Sequence, residues 1–259
     1  MSRGPTLNMD ARIQQSVVAN LLTRPAAAQA GPFVLGIDPA TTSPGINYAT
    51  PRPGSEITPA AVTEMVAAFR AADRLPRLEY VTSSAPELEK HLLAAGFTVE
   101  ARHDYLVCTP ETLVVPPAPD GFDLREPATD EQRVAMVNAQ IIGFGGDPGA
   151  TAEDAERMGR LQSRGGVSVM AVAADGTCAG GGQAVPPNDG VSEVAGIAVP
   201  PAYRRRGLAA AITARVAAAL FAGDGTVAWL EASGPDAGRI YERVGFRPTG
   251  KRLYLVLDR

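Results

Sequence analysis

Cysteine, histidine and lysine are scarce in this 259-residue chain. Its two cysteines, Cys108 and Cys178, stand 70 residues apart. That is not metal-ligand spacing, and it argues against a disulfide framework; both read as small strand-borne hydrophobes. With only His91 and His103, a histidine-based metal site is not expected, and no metal is assigned. Lys90 and Lys251 are the only lysines among abundant arginine and alanine, a bias of codon usage. No apolar run approaches the roughly 18 residues of a membrane helix. The opening "MSRGPTLNMDARIQQ" lacks the apolar core of a signal peptide. A cytoplasmic location without membrane contact is the resulting expectation.

What is present suits a globular protein. Apolar residues make up 45% and charged residues 20%, a globular balance, and the length suits one large domain or two ordinary ones. The net charge of −4 argues against nucleic acid as the main partner. A proline-rich stretch, "CTPETLVVPPAPDGFDLREP", blocks regular pairing. It predicts a first domain over 1–115, a linker over 116–121 and a second domain over 122–259.

Beyond the linker, strand and helix patterns alternate. "FDLREP" is a strand, "TDEQRVAMVNAQIIGF" a helix capped by Thr129 or Asp130, and "TAEDAERMGRLQSRG" a polar helix with Thr151 and Asp154 as a capping box. "VSVMAVAADGTCAGGGQAV" reads as a hairpin turning at Asp175-Gly176. Then come a strand "VSEVAGIAV", an Ala-rich helix, a strand "TVAWLEAS", a helix ending at Gly245 and a last strand. The order β-α-α-β-β-β-α-β-α-β places the chain in the α/β class, an α+β arrangement on a mixed sheet.

The first half echoes the second. Gly96-Phe97 falls on Gly245-Phe246, and Tyr105-Leu106-Val107 on Tyr254-Leu255-Val256, at an offset of 149. "AAVTEMVAA" falls on "AAITARVAA" at an offset of 150. Two matches at almost one offset predict an internal duplication.

The most informative stretch is "VSEVAGIAVPPAYRRRGLAAAITARVAAAL". A strand ends in a turn of arginines and glycine that opens a helix. The first turn of a helix carries unpaired N–H groups, and its dipole favours negative charge. Gly207 permits close backbone approach; Ala209 and Ala210 keep side chains away; arginines add charge-assisted contacts to phosphate oxygens. The alternative for such a turn alone is a solvated basic loop.

Residues 204–209, "RRRGLA", match the Arg/Gln-x-x-Gly-x-Gly/Ala motif of the GCN5-related N-acetyltransferase (GNAT) family. With the preceding strand and the downstream Tyr241, Gly245 and Phe246, residues 122–259 resemble that family. The resemblance implies two tandem GNAT-like domains. It implies acetyl-CoA as cofactor, released as coenzyme A, and acetyl transfer to a small amine such as an amino acid, a polyamine or an antibiotic-like compound. A protein N-terminus or lysine as acceptor, and a sensor that binds acyl-CoA without turnover, are the alternatives. It implies that backbone amides of Arg205, Arg206, Gly207, Leu208, Ala209 and Ala210 cradle the pyrophosphate, with Arg204 also among the cofactor-binding residues. Ile197, Ala198 and Val199 pair with the pantetheine arm, and the Ile197 amide polarises the thioester carbonyl. Glu193 is the candidate general base, directly or through water, the alternative being an ordinary strand glutamate. Strand alternation is expected to put 193, 195, 197 and 199 on one face. Tyr241 is the candidate acid, or else a core aromatic. An asparagine frequent in the family is replaced by Gly234, so its cofactor contact is expected to be missing.

In the duplicated frame the first half carries "PGSEITP" where the second carries its arginine turn, with Glu56 and Pro59 in place of phosphate-binding amides, and Leu92 in place of Tyr241. It reads as a degenerate copy with a structural task. "GFGGDPGA", residues 143–150, is expected to be a mobile flap over the acceptor, with Phe144 able to cover an apolar group, or a plain surface loop. His91 and His103 read as surface or packing residues, and the chain as a monomer or homodimer.

Overall fold

The computed structural model describes residues 8–258. In chain order the elements are α1 Met9–Leu22, β1 Ala28–Ala30, β2 Phe33–Gly36, β3 Tyr48–Pro51, α2 Pro59–Ala71, β4 Arg77–Val81, α3 Leu88–Ala94 and β5 Thr98–Cys108. They continue with β6 Phe122–Arg125, α4 Asp130–Gly143, α5 Ala152–Ser163, β7 Val167–Ala173, β8 Cys178–Ala184, β9 Val191–Ala198, α6 Leu208–Ala222, β10 Val227–Glu231, α7 Pro235–Arg243 and β11 Arg247–Val256. From β6 onward this is the order read from the sequence. Among the described residues, no helix is long and apolar enough to cross a membrane.

The chain packs as two compact units. One ends at Tyr105 and takes up the chain again from Thr249; the other is Leu106–Pro248. Residues 109–121 of the proline-rich stretch lack helix and strand, but they are not the boundary. Leu106 and Cys108 are already buried in the second unit's core, among Ala228, Leu230 and Phe246. At the other end, β11 pairs antiparallel with β4, Leu255 opposite Leu78, and Leu253 and Leu255 join Phe33, Leu35, Leu78 and Tyr80 in the first unit's core. Burial, not proline content, decides where a compact unit ends.

In the first unit, β1, β2 and β3 run antiparallel, and β3 pairs parallel with β4. α1 lends it a buried glutamine. Gln14 Nε2 donates to Pro51 O and to Thr50 Oγ1, each at 2.7 Å, while Gln14 Oε1 accepts from the Val81 amide at 2.9 Å. One side chain thus bridges the last residues of the two parallel strands. α2 begins with Pro59, which has no N–H, and Thr58 Oγ1 accepts from the Ala61 amide at 3.2 Å. Both features consume or remove helix-start donors that a ligand would need. Arg77, Glu79 and Arg252 form a buried ion-paired group, satisfying charges that would be costly alone.

In the second unit, β6, β7, β8 and β9 run antiparallel and β10 lies parallel to β9. α6 packs on one face with Val169, Ala171, Val194 and Leu230. α4 and α5 cover the other, through Met136, Met158, Met170 and Val172. Thr129 caps α4, and the Thr151 amide donates to the Asp154 carboxylate at 2.9 Å in the expected capping box.

Candidate active site

The turn into α6 is built to leave donors unpaired. Arg205 has φ of 62° and Gly207 of 80°, so two left-handed residues flank Arg206. Alternation of this kind turns successive amides toward one concave side. Gly207 is the N-cap and has no side chain with which to cap the helix. Among the described residues, no acceptor takes the amides of Arg205, Arg206, Gly207, Leu208, Ala209 or Ala210; the first bonded amide is Ala211, to Gly207 O at 3.1 Å. Six donors at the positive end of a 15-residue helix are an arrangement suited to an anion.

The three arginines divide their work. Arg204 Nε donates to Val199 O at 3.0 Å and Nη2 to Gly143 O at 2.7 Å, and its amide donates to Pro201 O at 3.3 Å. Its guanidinium braces the end of β9 against α4 and is not directed at phosphate, as the sequence had suggested for all three arginines. That bond uses one of the two lone pairs of the Val199 carbonyl. Arg206 lies over the rings of Phe122 and Tyr203, 6.0 Å from each centroid. Arg205 is exposed.

β9 departs from regular alternation. Gln183 stands opposite Ala195 and Gly181 opposite Ala198, so β9 spends three residues where β8 spends two. The extra residue is a bulge, and Gly196 within it has φ of 65°. The bulge overturns the expectation that 193, 195, 197 and 199 share a face. Ala195 lies opposite Gln183, on the side of α4, and Glu193 shares that face. Ile197 faces α6: a Cβ on Gly182 would meet both its Cδ1 and Ile212 Cγ2. Val199 packs in the α6 cluster. Ile197 therefore offers the site its backbone and not its side chain. Ala198 remains paired with β8.

β9 and β10 also part. Their parallel register covers Val191–Glu193 against Val227–Trp229, ending at Glu193 opposite Trp229. Beyond that point Val194–Ala198 and Leu230–Glu231 continue without register to each other. In the first unit Gln14 ties the ends of the parallel strands together.

Tyr241 lies on α7, half-buried, its ring 6.3 Å from Phe246. Burial raises the pKa of its hydroxyl, which keeps the proton in place at neutral pH. Gly234 caps α7 with extended backbone, and no atom lies within 4 Å of where its Cβ would be. The 143–150 segment is less free than its glycines suggest. Asn138 Oδ1 accepts from the amides of Gly149 and Ala150, each at 2.9 Å, and Gly146 donates to Ile141 O at 2.9 Å. Phe144, at 70% exposed, follows α4 as its C-cap.

Two residues escaped the sequence reading. Gln140, on α4, is buried and bonds both Gln183 and the Gly196 carbonyl. Ser168, opposite Gln183 on β7, is 1% exposed. A polar residue on the inner face of an amphipathic helix was the available signal for Gln140.

The chain resembles known proteins in sequence and in fold. The family model Acetyltransferase (GNAT) family matches residues 124–246. A solved GCN5-related N-acetyltransferase from Kribbella flavida is 27% identical, with a TM-score of 0.80 over 98% of this chain and 97% of that one. A GCN5-related N-acetyltransferase from Sphaerobacter thermophilus has 15% identity and a TM-score of 0.64, over 95% and 89% of the two chains. A tandem GNAT protein from the clavulanic acid biosynthesis pathway has 14% identity and a TM-score of 0.64, over 98% and 89%. No curated protein matches the sequence. Residues 124–246, which hold the donor-rich helix start and the bulged strand, form a domain of the acetyltransferase (GNAT) family, and the chain as a whole shares the fold of solved GCN5-related N-acetyltransferases, a tandem GNAT protein among them.

Proposed function

We propose that the protein is an acetyl-CoA-dependent N-acetyltransferase that acetylates the amine of a small molecule, an amino acid, polyamine or antibiotic-like compound, in its second half. The observation that carries the reading is the run of six acceptor-free amides from Arg205 to Ala210. Such a run suits a diphosphate, which can accept several bonds at once. Acetyl-CoA supplies the activated acyl group. The protein's own residues do the rest. Glu193, on the α4 face of β9, takes the proton from the attacking amine, directly or through a water, because an alkyl ammonium cannot attack. The Ile197 N–H donates to the thioester oxygen as negative charge gathers there. Tyr241, held protonated by burial, gives its proton to the departing sulfur.

The first unit is assigned no cofactor. Pro59 and the Thr58 cap diminish its helix-start donors, and Gln14 closes the gap between its parallel strands. Calorimetry with acetyl-CoA should therefore give one site per chain. A thiol-release screen against a panel of amines identifies the acceptor class. Failure of the parent protein to bind acetyl-CoA, or binding of two equivalents, contradicts the reading.

A further inference from the structure

Gln140 has no part in the scheme above, yet it is 7% exposed and its amide nitrogen makes two bonds. Nε2 donates to Gln183 Oε1 and to Gly196 O, each at 2.7 Å. Gly196 belongs to the bulge, where neither it nor Ile197 is matched to a residue of β8. The ladder therefore does not set the plane of the peptide joining Gly196 to Ile197. A Cβ on Gly196 would lie 2.5 Å from Gln140 Nε2 and 2.8 Å from Gln183 Oε1. Glycine is thus required by this contact as well as by its positive φ.

No peptide bond among the described residues is cis. In a trans peptide the carbonyl of one residue and the N–H of the next point in opposite directions. Drawing the Gly196 carbonyl toward Gln140 turns the Ile197 N–H away from α4 and from Gln183. We propose that Gln140 is a positioning residue for acyl transfer: its side-chain amide sets the Gly196–Ile197 peptide so that the Ile197 N–H is presented to the thioester carbonyl. This inference rests on the acetyl-CoA reading. Gln183 is the second anchor, since its oxygen takes the other proton of the Gln140 amide and fixes which way that amide faces.

Carbonyl-labelled acetyl-CoA bound to the protein provides the test, read by isotope-edited infrared spectroscopy alongside calorimetry. In the parent, the thioester C=O stretch falls below its value in free acetyl-CoA. In Gln140→Leu the stretch returns toward the free value, while the dissociation constant changes by no more than about threefold, because the α6 turn still holds the diphosphate. With an accepted amine, kcat falls roughly 10²–10³-fold and KM for acetyl-CoA hardly moves, the size of effect expected for one lost oxyanion donor. Gln140→Met preserves size but has no N–H or O–H donor and gives the same loss, so it serves if the leucine variant does not fold. Gln183→Glu keeps an acceptor for Gln140 and retains the lowered stretch. A full shift in either Gln140 variant overturns the proposal, as does a parent that binds acetyl-CoA without any shift. A parent that does not bind acetyl-CoA sinks the functional reading first, and this inference with it.

Discussion

Leu92 and Tyr241 hold the same place in two copies of one helix ending. The Leu92 carbonyl accepts from the Phe97 amide at 3.0 Å, and the Tyr241 carbonyl from the Phe246 amide at 3.1 Å. The intervening glycines, Gly96 and Gly245, have φ of 90° and 103°, the left-handed closure of a Schellman cap. Phe97 and Phe246 are both buried. The backbone is shared and the side chains differ: the first copy presents an alkyl group where the second presents a phenol with its hydroxyl.

Removal of that hydroxyl should affect chemistry alone. Tyr241→Phe keeps the ring against Phe246 and leaves acetyl-CoA affinity and melting temperature nearly unchanged. Steady-state kinetics should show kcat lower by about 10²-fold or more, the usual contribution of general acid catalysis. Equal rates in variant and parent would remove Tyr241 from the mechanism.

Gly207 is both left-handed and the N-cap of α6. A glutamate there costs about 1–2 kcal/mol for its backbone alone and sets a carboxylate beside the open amides. Acetyl-CoA should raise the melting temperature of the parent and leave that of Gly207→Glu unmoved. A shift of the same size in both proteins would disprove the cradle.

Glu193 must be ionised to accept a proton, so the parent's kcat should rise with pH through its acid limb. Glu193→Gln should flatten or displace that limb in a pH–rate series. An unaltered profile assigns the proton to another group.

Gly234 offers a gain of function. Its extended backbone suits any residue, and the space around its Cβ is open. Gly234→Asn should fold with unchanged stability and bind acetyl-CoA several-fold more tightly, consistent with one added hydrogen bond of about 1 kcal/mol. Unchanged or weaker affinity on titration refutes this.

Alkaline pH should unfold the protein early. Burial raises the pKa of Tyr80, Tyr105 and Tyr241 and of the free thiols Cys108 and Cys178; for Tyr105 a hydrogen bond to Asp10 adds to the effect. Above the ordinary thiol and phenol values of roughly 8.5 and 10, the unfolded chain releases these protons and the folded chain keeps them. The unfolded state then binds fewer protons, so stability falls as pH rises. Chemical denaturation at pH 7, 9 and 10.5 should give progressively lower midpoints. A flat series would show that these groups ionise freely in the folded state.

The second half was legible because its signals are local. Thr129 and Thr151 announce their helices, Asp175-Gly176 turns the hairpin, and "RRRGLA" marks a turn whose amides are left open. The bulge at Gly196 was not legible. A glycine within an apolar strand signals it weakly, and only the partner register on β8 counts the extra residue. The brace made by Arg204 was hidden for the same reason, since its acceptors at Val199 and Gly143 are carbonyls that any residue supplies. The first 50 residues yielded no element order, and Gln14 could not be placed before β3 and β4 were known to end beside each other. The proline-rich stretch misled about the boundary because it marks where regular structure stops, while cohesion depends on where Leu106 and Leu253 are buried.

That placement of Leu253 and Leu255 has a consequence for biosynthesis. Translation delivers residues 8–105 first, yet their core lacks a strand made from 249 onward. Residues 8–105 must wait, incomplete, until the strand beyond Thr249 has left the ribosome. The second unit can condense around Trp229 and Phe246 before the first is complete.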